Sequence, residues 1–256
     1  MNTDSGISAR KTMSRATEIV ATGYAYPSEV VDNDTFFERC RFPITEDRAA
    51  LVQSTRMKTR YWCAEGENTL SLAKKAIAMA LESGAVSAEE IDVVVVSSCS
   101  TMPTISYPNP QNPYMSDLSP FVLHDLGRDD AMGFDIKGTY CTGFIRGMQV
   151  MDALLENPNY RTGLLVASEQ GGNISVTETN RSAFCFLFSD SAGAMVLRKR
   201  PPGDRVGIVD YVGHTKASLK DLMTWGSDGR SVVVKGSRSG PAGLAMLIEC
   251  GQRLLA

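Results

Sequence analysis

Cys141 stands in the stretch Phe134-Asp-Ile-Lys-Gly-Thr-Tyr-Cys-Thr-Gly-Phe144, which reads as strand, tight turn, cysteine, helix. Phe134 to Ile136 predicts a short buried strand. Behind the cysteine, Phe144, Met148, Met151 and Leu155 recur at the spacing of one apolar helix face. Met148 and Met151 therefore belong to a core and not to a set of sulfur ligands. A cysteine at such a junction lies where unpaired backbone N–H groups and the positive end of a helix dipole meet. Both favour the thiolate, which is the nucleophilic form. The same N–H groups can stabilise an oxyanion on an attacked carbonyl. Gly138 and Gly143 on either side allow close backbone approach. Spacing alone supports equally a small buried cysteine that fills a core gap.

Other residue types weigh less. Cys99 follows an apolar run, at the end of a strand where sites gather in α/β folds, but a buried structural cysteine is the better reading. Cys185, in Ala183-Phe-Cys-Phe-Leu-Phe188, reads as core or pocket wall. Glu169 could be a catalytic carboxylate, and a hydrogen-bonding role beside the site fits better. Asp190, in Ser-Asp-Ser-Ala-Gly, reads as a turn carboxylate that accepts backbone N–H bonds. Gly171-Gly172 is too short to be a phosphate loop. Six cysteines are scattered at 40, 63, 99, 141, 185 and 250 with no CxxC pair and no metal spacing. That pattern fits free thiols in a cytoplasmic protein and no metal site.

The elements that must position Cys141 are legible around it. Thr69 to Ser83 predicts a helix, with Ala73, Ala76, Ile77, Ala80 and Leu81 on one face and Gly84 as its stop. Ser87-Ala-Glu-Glu90 is a capping box that opens a short helical turn. Val93 to Ser98 is a continuous β-branched run and predicts a strand buried on both faces. Met102 to Asp117 carries four prolines and reads as a long irregular loop. Ser119-Pro120 starts a helix that Gly127 stops. Strands are expected at Leu164 to Ser168, Phe184 to Phe188, Ala192 to Leu197 and Val206 to Val212, with a helix from Ala242 to Ala256. Residues 1–16 read as a disordered tail. Alternating strands and helices predict an α/β fold around a largely parallel sheet.

Composition sets outer bounds. With 256 residues, 43% apolar and 21% charged, the chain is ordinary for a globular protein with a sizeable core. A net charge of −3 favours neither a nucleic-acid partner nor an anionic membrane. No apolar run reaches the length of a membrane-spanning helix, and the polar first sixteen residues show no signal peptide.

The order Cys141-Thr-Gly-Phe144, Arg161-Thr-Gly-Leu-Leu-Val-Ala-Ser-Glu169, then Phe186-Leu-Phe-Ser-Asp-Ser-Ala-Gly-Ala-Met-Val-Leu197 resembles the β-ketoacyl-ACP synthase III family of the thiolase superfamily. Ile19-Val-Ala-Thr-Gly-Tyr-Ala-Tyr-Pro27, Thr55-Arg-Met-Lys-Thr-Arg60 and Ser87 to Ser98 resemble that family's earlier segments in the same order. The resemblance implies a thiolase-like fold, itself a duplication. Residues 17–200 would form the first half, with Cys141 as nucleophile, and residues 201–256 would begin the second. It implies a cytoplasmic acyltransferase or condensing enzyme of fatty acid or polyketide-type biosynthesis. The substrates would be acyl-CoA or acyl carrier protein thioesters, with no metal or redox cofactor. A homodimer, or a heteromer with a synthase-like chain, is implied as well.

Two departures stand out. The family's catalytic His and Asn come from the second half, the His in a His-Gln-Ala-Asn motif that does not occur here. The chain has only His124 and His214, and neither sits in a matching motif. The family's coenzyme A-holding Trp and Arg fall at Ala50 and Ser54, and Arg56 reads as a solvated loop charge. A short subunit that is structural or acyl-holding, or a non-catalytic remnant, therefore stands beside the enzyme reading.

Overall fold

The computed structural model describes residues 15–99, 117–137, 140–172, 183–204, 206–225 and 232–255. The centre is a five-stranded sheet made of β1 (Thr17–Ala25), β4 (Val93–Ser97), β5 (Met132–Ile136), β6 (Thr162–Glu169) and β7 (Ser191–Lys199). Its strand order is β1-β7-β6-β4-β5. β4, β5 and β6 are parallel to one another, and β7 runs antiparallel to both β6 and β1. Four strands therefore share a direction, as the alternating pattern predicts.

β4 reads Val-Val-Val-Val-Ser and is buried throughout. Val94 and Val96 join Leu164, Val166, Ala194 and Val196 under α3 (Thr69–Gly84) and α4 (Ser119–Leu126). Val93 and Val95 face the other way, against Leu165, Leu197, Met151 and Leu155. The last two lie on or just after α5 (Gly143–Leu154). The sheet is thus the middle of three layers. A third cluster, Val31, Phe36, Trp62, Cys185 and Phe186, joins β2 (Glu29–Asp32) and β3 (Thr59–Trp62) to α1 (Asn33–Arg39). α2 (Arg48–Thr55) lies beside it, with Leu51 and Val52 against this cluster.

Small residues let α3 sit directly on β1. A Cβ at Gly23 would lie 2.1 Å from the Ala76 carbonyl oxygen and 2.5 Å from the Ala80 nitrogen. Both neighbours are helix backbone and cannot swing aside. At the C-terminal end of α3, a Cβ on Gly84 would lie 2.6 Å from that of Ala21. Gly84 is therefore required by helix–strand contact. The left-handed residue that ends the helix is Ala85, at φ 48°.

Several expectations need correction. Phe184 to Phe188 is not a strand. Ala183–Leu187 is a short 3₁₀ helix in which the Phe188 N–H donates to the Cys185 carbonyl. A five-residue apolar run has no period that separates the two states. Here Phe186 is drawn into edge-on contact with Phe36 at 5.0 Å. Val206 to Val212 yields only a bridge between Ile208 and Thr17, because Gly207 at φ 109° breaks the extension. β5 is half-exposed and lies at the sheet edge, so it is not the buried strand expected at Phe134 to Ile136. Arg15 and Ala16, assigned to the tail, are fixed: Ala16 is buried and the Arg15 guanidinium donates to the Arg200 carbonyl. The rest of the tail and the proline-rich loop from 102 to 116 lie outside the described residues.

α4 also differs at its start. The Ser119 side chain makes no cap. The N–H groups of Leu118 and Ser119 donate instead to the two carboxylate oxygens of Asp135 on β5, at 2.8 and 2.9 Å. After the sheet, β8 (Met223–Trp225) and β9 (Val232–Val234) pair as a hairpin. α6 (Gly236–Leu255) follows and begins earlier than the expected Ala242. No helix among the described residues is long and apolar enough to cross a membrane.

Two predictions follow from these contacts. Gly23→Ala forces backbone apart and destabilises the fold by about 1–3 kcal/mol; urea unfolding that shows a loss below about 0.5 kcal/mol contradicts the contact. Glu67 accepts from the Ser28 and Ala64 N–H groups and from the Lys75 ammonium, at 2.8, 3.2 and 3.0 Å. Burial works to raise its pKa, but these donors outweigh it and hold the carboxyl at about 2, against an ordinary 4.5. A depressed carboxylate adds stability that is present above its unfolded value and is lost as pH falls toward the folded one. The stability gap between wild type and Glu67→Gln should therefore be widest near neutral pH. It should close between about pH 4.5 and pH 2. A gap that does not change with pH removes the carboxylate from this role.

Candidate functional site

β4 and β5 end level with each other, and β6 runs two residues further, to Glu169. Ser97 pairs with Ile136 on one side and with Ala167 on the other. Residues just beyond these positions therefore share the carboxyl edge of the parallel strands, where open α/β sheets place their sites. The rim is tied by short bonds. The Cys99 N–H donates to Glu169 Oε1 at 2.7 Å, and the Ser98 hydroxyl donates to the Ser168 carbonyl at 2.6 Å. Glu169 thus holds the end of β4 to the end of β6, in keeping with a hydrogen-bonding role. Cys99, expected to be buried, is only half-buried.

Cys141 lies in a single 3₁₀ turn, Tyr140–Thr142, that links β5 to α5. Its side chain is exposed. The core reading of this cysteine is therefore set aside. What places the turn is the seat of α5. A Cβ at Gly147 would lie 2.5 Å from Leu165 Cδ1, and one at Gly163 would lie 2.1 Å from Met151 Sδ. Glycine on each partner lets helix and strand approach closely, with Met151 and Leu155 buried between them. The start of α5, with its main-chain N–H groups, is thereby fixed at the sheet's carboxyl edge beside Cys141. Gly138 lies outside the described residues.

The other thiols divide by environment. Burial pushes the Cys63 thiol well up, reinforced by the Asp190 carboxylate beside it. Burial pushes Cys185 up to about 12, with Cys40 adding to the effect. Both stay protonated at neutral pH, and Cys185 is a core residue as expected. Burial raises Cys40 as well.

Asp190 is fully buried and accepts from the backbone N–H groups of Cys63, Gly171 and Gly172 at 2.9, 3.0 and 2.6 Å. Burial raises its pKa against those bonds. It is the turn carboxylate that the sequence implied, and it pins the 171–172 backbone to β3. Arg56 is exposed and ends α2 in the left-handed region, in keeping with a solvated charge. Ala50, on α2, is exposed too. His124 is exposed in the last turn of α4, and His214 lies against α6.

The sequence assigned no role to Arg60 or Asp135. Arg60 is buried between Phe36 and Phe186, 4.6 and 4.5 Å from the ring centroids, and donates to the Asp32 carbonyl and Asn33 Oδ1. It fastens the 183–187 turn to α1. An acidic residue set between Phe134 and Ile136 is a signal in itself, because a strand carboxylate must find donors. Asp135 finds them at the start of α4. Among the described residues, no group of His, Cys, Asp and Glu could hold a metal ion.

Residues 134–217, which include Cys141 and Asp190, match the family model of 3-Oxoacyl-[acyl-carrier-protein (ACP)] synthase III. The beta-ketoacyl-[acyl-carrier-protein] synthase III of Clostridium beijerinckii is 33% identical over 182 residues, 71% of this chain and 51% of that protein. That of Rickettsia bellii is 28% identical over 93% of this chain and 66% of its own length. The chain therefore spans between about half and two thirds of these curated relatives. Among solved structures, 3-oxoacyl-(acyl carrier protein) synthase III from Pseudomonas aeruginosa superposes with a TM-score of 0.74 at 22% identity, over 94% of this chain and 70% of that one. The priming beta-ketosynthase of the R1128 polyketide pathway superposes with a TM-score of 0.71 at 26% identity, over 95% and 70%. By sequence the chain is a relative of the 3-oxoacyl-[acyl-carrier-protein] synthase III proteins, whose family model its residues 134–217 match, and its fold is thiolase-like.

Proposed function

We propose that Cys141 is the acyl-accepting nucleophile of a synthase III-like acyltransferase or condensing enzyme, working in fatty acid or polyketide-type biosynthesis in the cytoplasm. The observation that carries this reading is an exposed cysteine at the β5–α5 turn, inside the stretch that matches the family model. The sulfur attacks the carbonyl of an acyl-CoA or acyl carrier protein thioester. A carbon–sulfur bond forms to Cys141, the bond to the donor sulfur breaks, and the donor leaves as its thiol. The first N–H groups of α5 face the oxyanion of that step. No redox cofactor is needed, since acyl transfer changes no oxidation state. Residues 17–200 would form the half that carries the nucleophile, and 201–256 the start of a second.

The names of the relatives support carrier-protein chemistry, and that of the priming ketosynthase supports a polyketide setting. The test is intact mass after incubation with acyl-CoA or acyl carrier protein. A one-acyl adduct is expected, and Cys141→Ala should abolish it. An adduct that survives the substitution assigns the chemistry elsewhere.

A second reading, an acyl-holding subunit that a synthase-like partner or a second copy completes, draws on α6. Leu244, Leu247, Ile248 and Leu254 are exposed on this one helix. Apolar surface of that kind marks contact sites. Among the described residues, β5 adds an unpaired strand edge. Sedimentation equilibrium at low micromolar concentration should show a dimer or larger assembly, or a mixed complex once the partner is added. A monodisperse monomer that melts cooperatively between about 45 and 65 °C would contradict this reading.

A further inference from the structure

Cys250, His214 and Glu249 form a second line of three chemically active groups. Cys250 and Glu249 are neighbours on α6, and His214 comes from the segment before β8. The Cys250 sulfur lies 3.6 Å from His214 Nδ1. The opposite ring nitrogen, Nε2, is buried, makes no hydrogen bond, and sits 3.4 Å from Glu249 Oε2. Glu249 is also ion-paired to Arg253 on the next turn and lies 4.0 Å from Lys216. The imidazole therefore presents one nitrogen to a thiol and the other to a carboxylate. A thiol proton passed to Nδ1 would leave an imidazolium whose charge faces Glu249. This order sets a base beside the thiol and a negative charge beyond the base, an arrangement in which an adjacent general base can activate a cysteine.

We infer that Cys250 is a second reactive thiol, activated by His214 and Glu249, that is oxidised by small hydroperoxides. Cys250 is half-buried on α6, so part of the residue is open to a small oxidant. In the reaction the Cys250 proton moves to His214 Nδ1. The thiolate attacks one peroxide oxygen, a sulfur–oxygen bond forms and the oxygen–oxygen bond breaks. The leaving hydroxide, or alkoxide from an organic hydroperoxide, takes the proton back from the imidazolium and departs as water or the alcohol. Sulfur loses two electrons, the peroxide gains them, and the product is the sulfenic acid. This thiol is distinct from the acyl-accepting site, and the inference stands whether or not Cys141 proves to be the nucleophile.

The test is peroxide oxidation of the whole chain, with sulfenic acid trapped by dimedone and mapped by peptide mass. Cys250 is expected to label well ahead of Cys40 and Cys99, the other two half-buried thiols. His214→Gln should slow labelling at Cys250 by at least about tenfold and leave the rate at Cys141 unchanged. Glu249→Gln should slow it less. Labelling at Cys250 no faster than at Cys40 and Cys99 overturns the inference, and so does an unchanged rate in a folded His214→Gln chain. Should that variant fail to fold by circular dichroism, the wild-type ranking alone decides.

Discussion

β4 is the strand against which everything else is registered. It is buried on both faces, and its two sides alternate into the layers under α3 and α5. A strand in that position cannot slip by one residue without turning a whole apolar set the wrong way. β5 and β6 both run parallel to it; β5 stops level with it and β6 two residues beyond. The carboxyl edge that holds the Cys141 turn is therefore a consequence of β4's register, before any site residue makes a contact of its own.

Carboxylates then fix backbone at both ends of that strand set. At the start, Asp92 accepts from the Arg161 and Thr162 N–H groups at 2.7 and 3.0 Å and ties β4 to β6. At the far end, Glu169 accepts from Cys99, and Asp135 takes the two free N–H groups at the start of α4. Asp190 does the same for the 171–172 backbone and β3. A buried N–H left without a partner costs about 1–3 kcal/mol, so these acids are structural fasteners. The thiols are sorted by the same surroundings. Cys185, within the Phe36–Trp62–Phe186 cluster, and Cys63 are held protonated by burial, while Cys141, at the turn, faces solvent.

The seat of α5 shows how composition becomes position. Glycine on the helix faces leucine on the strand, and glycine on the strand faces methionine on the helix. The two surfaces interlock, so the helix start and the cysteine just before it have one place to be.

The sequence by itself determined the valine strand, the apolar faces of α3 and α5, the turn that presents Cys141 and the backbone-binding role of Asp190. Each rests on a local pattern: a period, a β-branched run, or a turn residue at a fixed offset. Tertiary structure decided what local pattern leaves open. Whether Ala183 to Leu187 coils or extends depended on Phe36 and Arg60, more than a hundred residues earlier in the chain. Whether β5 was central or at the edge depended on which strands pair, and that Asp135 would cap α4 depended on how the helix returns to the sheet. His214 and Cys250 are 36 residues apart, and nothing in their local sequence says that they meet. Only the fold, by packing α6 against the segment before β8, brings a sulfur to an imidazole.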